Sequence, residues 1–112
     1  MNKQDTMQPN TSVAAVRQYI QSNKSFGERH KVHIIASINN RNHFGILTVF
    51  ASATENYASV IIENLSDICN THTNCFTSER CEFSIINKTL IIKEYRTPVG
   101  AIHIEITPEQ MQ

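Results

Sequence analysis

Residues 81–107 of this 112-residue chain read CEFSIINKTLIIKEYRTPVGAIHIEIT, and this segment predicts three consecutive strands. Phe83 and Ile85 alternate with polar residues in the first run, and Ile102, Ile104 and Ile106 do so in the last. Alternation with a period of two is typical of a strand that buries one face. We therefore expect an antiparallel meander near the C-terminus of the chain.

Two reversals are predicted within this segment. Asn87 and Lys88 stand between β-branched runs and suit a two-residue hairpin loop. The second reversal falls at Thr97–Gly100, where a proline fixes φ and a glycine tolerates unusual backbone angles. The run between them, Leu90 to Tyr95, has three consecutive apolar residues, which predicts a strand buried on both faces. The first strand, Cys81 to Ile86, would then be an edge strand.

A helix is predicted near the N-terminus. Thr11 or Ser12 can cap it through a side-chain hydroxyl. Val13, Val16 and Ile20 follow at helical spacing and form a narrow apolar stripe. Such a helix has to dock on another element to be stable.

A β-hairpin is predicted next. Residues 31–39 and 45–51 both have strand composition and alternation, and the polar residues 39–42 between them predict a turn.

Residues 54–70 predict a second, longer helix. Ser52 and Glu55 have the spacing of a capping box ahead of an apolar run. On a helical projection, the apolar residues of this segment cover about 200°, whereas a helix lying on one surface needs only about 100°. We expect such a helix to bury two sides, one on its own sheet and the other on a partner, because soluble monomers avoid large exposed apolar patches.

The predicted element order is α-β-β-α-β-β-β, with residues 71–80 as a polar loop. The fold class is α+β: one five-stranded antiparallel sheet with two helices. We expect a disordered tail over residues 1–11, a single domain over 12–107, and a short C-terminal tail over 108–112.

Composition argues against several functions. The chain has 10 basic and 10 acidic residues and no basic run, which argues against nucleic-acid binding. Its apolar runs are shorter than the roughly 20 residues of a membrane span, so we expect no direct membrane insertion. The polar N-terminus predicts no secretory signal, and three cysteines without one fit a cytoplasmic protein with reduced thiols.

The candidate chemistry centres on the cysteines. Cys69, His72, Cys75 and Cys81 are the right residue types for a zinc site, but the paired C-x2-C spacing of convincing zinc sites is absent. A cysteine paired with His72 or His103 could be a nucleophile, although no pattern provides an oxyanion hole. Isolated buried cysteines are the simpler interpretation. The sequence therefore predicts a protein without catalytic residues, a cofactor or a metal.

The order of elements resembles the roadblock/LC7 family, and in particular the short Ragulator-type subunits that lack the usual last helix. The matching stretches are residues 55–68 (ENYASVIIENLSDI), 81–93 (CEFSIINKTLIIK) and 100–106 (GAIHIEI).

The resemblance implies a non-catalytic scaffold subunit. Roadblock domains pair their long helices and join edge strands into one sheet, and the pairs are platforms for small GTPases. The implied partners are another roadblock subunit, a larger scaffold complex and Rag-type GTPases. The implied place is the cytosolic face of the lysosomal or vacuolar membrane, in TORC1 signalling. The interface residues expected on this basis are Tyr57, Val60, Ile61, Asn64, Ile68, Phe83 and Ile85.

Two alternatives stay open. One is a small dimeric secretion chaperone, although such chaperones tend to be acidic and this chain is neutral. The other is a zinc-binding protein that uses the cysteines and His72. Whether a roadblock-like pair would be homomeric or heteromeric, and which side of the 54–70 helix would meet the partner, also stay open.

Overall fold

The computed structural model describes residues 3–23, 28–38, 40–71, 73–94 and 101–108, with side chains of the helix described from residue 11 to residue 22. One helix, α1 (Lys3–Asn23), precedes the strands. A single 3-10 turn spans Leu65–Asp67. The strands are β1 (His30–Ile38), β2 (Arg41–Ala53), β3 (Ala58–Ile62), β4 (Cys75–Thr77), β5 (Cys81–Ile86), β6 (Thr89–Glu94) and β7 (Ile102–Pro108).

All seven strands form one sheet in the order β4-β3-β2-β1-β7-β6-β5, and every neighbouring pair is antiparallel. Helix α1 contacts β5 and β6 at one end of this order and β2 and β3 towards the other. The sheet therefore curls around the helix into a near-barrel.

The hydrophobic core lies between α1 and the inner face of the sheet. The helix contributes Val13, Val16, Tyr19 and Ile20, all nearly inaccessible to solvent. The strands contribute residues at alternate positions, which include Val32, Ile34, Val49, Val60, Ile62, Phe76, Phe83, Leu90, Ile92, Ile104 and Ile106. Burying each large aliphatic side chain stabilises the fold by roughly 1.5–3 kcal/mol.

Several sequence predictions are confirmed. β1 and β2 form the predicted hairpin, and β5, β6 and β7 form the predicted meander. The loop between β5 and β6 is at Asn87 and Lys88, and Asn87 has the left-handed backbone (φ 58°) that such loops require. The apolar stripe of the helix is buried as predicted. The second predicted reversal, at 97–100, lies outside the described residues.

The predicted fold class, a five-stranded sheet with two helices, is wrong. Residues 54–70 do not form a helix: they contain a turn, strand β3 and the 3-10 turn. The run Val60–Ile61–Ile62 is β-branched throughout, and such residues favour strands because branching restricts χ1 in a helix. Asn64 then has a left-handed backbone (φ 62°), which interrupts any regular helix. The central part of the apolar arc is β3, which has one fully buried face and one half-buried face.

Three further predictions differ from the structure. Residues 71–80, predicted as a polar loop, contain β4, and Phe76 in that strand is fully buried. The strand after Asn87 buries only one face completely, because its residues alternate between buried and half-buried. Helix α1 begins at Lys3, so most of the stretch predicted as a tail is helical.

The β5 edge of the sheet is covered. Helix α1 packs against β5, and the Ser12 side chain, predicted as a helix cap, accepts a hydrogen bond from the Phe83 backbone N–H (Oγ to N 3.1 Å). A covered edge cannot pair with another strand. The prediction that β5 is an edge strand is thus confirmed, and the helix of the same chain covers it.

Candidate functional site

The two strands β2 and β3 differ in length. β2 has 13 residues and β3 has 5, and β3 pairs only with Val49–Ala53. The last contact is a hydrogen bond from the Glu63 N–H to the Thr48 carbonyl (2.8 Å). From Arg41 to Leu47, β2 pairs with β1 on one side, and no strand among the residues the structure describes pairs with its other side.

The direction of the backbone groups in this segment follows from the antiparallel ladder. Thr48 points its carbonyl towards the β3 side, and neighbouring residues point to opposite sides. Asn42, Phe44 and Ile46 therefore point their N–H and C=O groups away from β1. We call these three residues the open edge. Within the described ranges, no backbone partner on that side is present for any of them.

The side chains of the open edge are unusually apolar for an exposed strand. Phe44 is 66% exposed and Ile46 is 52% exposed. Both lie on the outer face of the sheet, where Phe44 is opposite Ile35 and Ile46 is opposite His33 on β1. An open depression of about 400 Å³ lies over this part of β1 and β2. Unpaired backbone groups beside exposed apolar side chains are the features of a strand that accepts another strand.

Charge is distributed unevenly along the open edge. Arg41 is exposed at its beginning, and within the described parts of the chain no acidic group lies within 4 Å of it. Glu63 lies beside Thr48 at the other end, where it pairs with Arg29 (2.6 Å). Asp67 is exposed in the adjoining 3-10 turn. Because Arg29 offsets the charge of Glu63, the edge has one basic residue, Arg41, at its beginning and one acidic residue, Asp67, beside its other end.

The sequence-predicted interface residues do not share one surface. Val60 and Phe83 are buried in the core, and Ile85 packs against it. Ile61 is half-buried on the outer face of β3, opposite Phe50 of β2. The remaining three residues flank β3: Tyr57 is 40% exposed before it, Asn64 turns the chain after it, and Ile68 packs over Gly45.

The candidate metal ligands are also separated. Cys69 is buried and donates a weak hydrogen bond to the Leu65 carbonyl (3.6 Å), and burial raises its pKa. Cys75 is half-buried in β4, and Cys81 is buried at the start of β5. No group of three or more metal-binding side chains occurs among the described residues, and His72 lies outside them.

A buried polar cluster surrounds Cys81. Glu94 lies opposite it on β6, is almost completely buried, and is 3.5 Å from Arg80 (Oε2 to Nη1). Arg80 also donates a hydrogen bond to the Cys75 carbonyl (2.7 Å). Burial, and after it the nearby carboxylate of Glu94, raises the pKa of Cys81 to about 12. A thiol with so high a pKa stays protonated at neutral pH, so it is a poor nucleophile and a poor metal ligand.

Comparison with protein-family models, with curated proteins and with solved structures found no significant match. Among the described residues, no helix has the length and apolar character needed to cross a membrane.

Sequence reasoning missed the open edge. It placed residues 39–42 in a turn and began the strand at Gly45, so Phe44 was not recognised as a strand residue. The exposed pair Phe44 and Ile46 was the available signal, since they alternate with His43 and Gly45. The alternation alone does not indicate which face of β2 is exposed. It also does not indicate that β3 is shorter than β2.

Proposed function

We propose that this protein is a non-catalytic binding subunit that pairs the open edge of β2 with an extended strand of a partner chain. The observation that carries the proposal is the combination of outward-pointing backbone groups and exposed apolar side chains at Phe44 and Ile46. Strand addition gains affinity from main-chain hydrogen bonds and specificity from alternate side chains.

The partner strand is expected to carry apolar residues at alternate positions. Side chains of the added strand that share the outer face would lie next to Phe44 and Ile46, because cross-strand neighbours are on the same side of a sheet. The β5 edge does not compete for the same strand, since α1 covers it.

The roadblock/LC7 resemblance names a narrower set of partners: another roadblock subunit and Rag-type GTPases, at the lysosomal or vacuolar surface in TORC1 signalling. That set stays a proposal. A long helix over residues 54–70 does not support these partners, because β3 and the 3-10 turn occupy that segment. The secretion-chaperone alternative also depended on an apolar helix over residues 54–70, so it has lost the same support.

A displayed library of short unstructured peptides tests the proposed function. We expect peptides with alternating apolar residues to bind the wild-type chain and to slow amide exchange at Phe44 and Ile46. The double variant Phe44→Lys/Ile46→Lys should weaken that binding by about tenfold or more, about 1.4 kcal/mol. Ile86→Lys is the matched control, because Ile86 is equally exposed (60%) on the distant β5. Peptides that bind the double variant as tightly as the wild type would contradict the proposal.

A further inference from the structure

The open edge matches its own sequence in an antiparallel arrangement, and from this we infer that the strand it receives is β2 of a second copy of this chain. This inference rests on the proposed function and specifies the partner. If the two strands pair about a two-fold axis at Phe44, Asn42 of each copy lies opposite Ile46 of the other. All three open-edge residues point their backbone groups outward, so every such pair can exchange hydrogen bonds.

Self-pairing also covers the exposed apolar side chains. Phe44 and Ile46 lie on the same face of the sheet, and a two-fold axis brings the same two residues of the partner alongside them. In this register Phe44 lies directly opposite Phe44 of the other copy and diagonally next to its Ile46, and both kinds of apolar neighbour are favourable. Two exposed patches would become one continuous strip across a sheet that spans both copies.

Charge complementarity favours a second copy over an unrelated strand. When the two strands run antiparallel, Arg41 of each copy lies towards the end of the other copy's open edge that adjoins the 3-10 turn, where Asp67 is exposed; Glu63 at that end is already paired with Arg29. The two Arg41 residues would lie about 20 Å apart along the strand at about 3.4 Å per residue. That separation exceeds the Debye length of about 8 Å at physiological salt, so their repulsion is screened. The chain has no net charge to oppose association.

A two-fold pairing uses both open edges and leaves none free, so it produces dimers and not fibres. The paired segment is short, which places the interface at the small end of the range for specific complexes. We expect a dissociation constant of about micromolar order.

Sedimentation equilibrium over a wide range of protein concentration tests the inference. We expect a monomer–dimer equilibrium in the wild type, with the dissociation constant raised about tenfold or more by Phe44→Lys or Ile46→Lys. Ile46→Pro should have a similar effect, because its N–H points away from β1 and proline removes only that outward donor. Arg41→Glu should weaken the dimer at low salt and less so at high salt. Ile86→Lys should leave the equilibrium unchanged, and thermal unfolding of each variant verifies the fold.

A wild-type chain that stays monomeric at millimolar concentration would overturn self-pairing. So would a dimer that the open-edge variants do not weaken. Peptide binding to the open edge distinguishes an error in the self-pairing inference from an error in the proposed function. If the chain is monomeric but selected peptides bind the open edge, the edge accepts a different strand. If neither occurs, both proposals fail.

Discussion

Gly45 of β2 and Ile68 are in such close contact that a Cβ atom at Gly45 would lie 2.7 Å from Cγ2 of Ile68. Gly45 is the residue between Phe44 and Ile46, and Ile68 belongs to the chain segment that follows the 3-10 turn. The missing side chain therefore allows this segment to pack closely against β2, on the face opposite the exposed side chains.

Gly45→Ala should destabilise the protein by about 1–3 kcal/mol, the usual cost of inserting an atom into a packed site. The atom that has to move, Cγ2, is attached directly to the Ile68 Cβ and has little freedom. Urea unfolding measures the effect. In the Ile68→Ala background the cost of Gly45→Ala should be smaller, since the obstructing atom is gone. An equal cost in both backgrounds would contradict this account of the contact.

Tyr19 on α1 and His30 at the start of β1 form a hydrogen bond between Oη and Nε2 (2.8 Å), and their ring centroids are 5.7 Å apart. Tyr19 is fully buried, and burial raises its pKa. Tyr19→Phe should cost about 1 kcal/mol, the net value of a typical hydrogen bond. Calorimetric unfolding measures this. Tyr57→Phe is the control, because Tyr57 is partly exposed and should change stability by less than about 0.5 kcal/mol.

The meander and the first hairpin could be predicted because their information is local. Each has alternating residues and a recognisable turn, such as Asn87–Lys88, so neighbouring residues specify both the strand and its partner. The burial of Ile102, Ile104 and Ile106 follows from the same alternation.

The segment 54–70 could not be assigned from periodicity. Val60, Ile61 and Ile62 are consecutive apolar residues, a pattern that suits either a buried helix or a strand covered on both faces. Their β-branching was the signal for a strand. The open edge is even more difficult to predict from the sequence, because it arises from the difference in length between β2 and β3. That difference depends on where the chain turns after Glu63.

Arg80 and Glu94 provide a prediction about the buried polar cluster. Arg80→Met should destabilise the protein by about 1–2 kcal/mol, because it removes the charged partner of the almost completely buried Glu94 carboxylate. This cost is smaller than that of breaking a fully buried ion pair, because the Arg80 side chain is 49% exposed. Glu94→Gln in the Arg80→Met background should recover part of the loss. Arg29→Met is the control, because the Arg29–Glu63 pair is exposed and should cost less than about 1 kcal/mol. Equal costs for the two arginine variants in urea unfolding would contradict the importance of burial.

The raised pKa of Cys81 predicts a loss of stability at high pH. Its thiol has an ordinary value of 9.0 in the unfolded chain and a value of about 12 in the folded one, owing to burial and to Glu94. Between these values the folded state holds the proton more tightly, so the free energy of unfolding falls as pH rises above 9 and is unaffected below it. The slope from one group is at most about 1.4 kcal/mol per pH unit. Between pH 9 and pH 11, the free energy of unfolding of Cys81→Ala should therefore fall less than that of the wild type. Tyr19 and every other titrating group are present in both proteins, so their contributions cancel in the comparison. Parallel pH profiles for the two proteins would show that the Cys81 thiol is not held protonated by the fold.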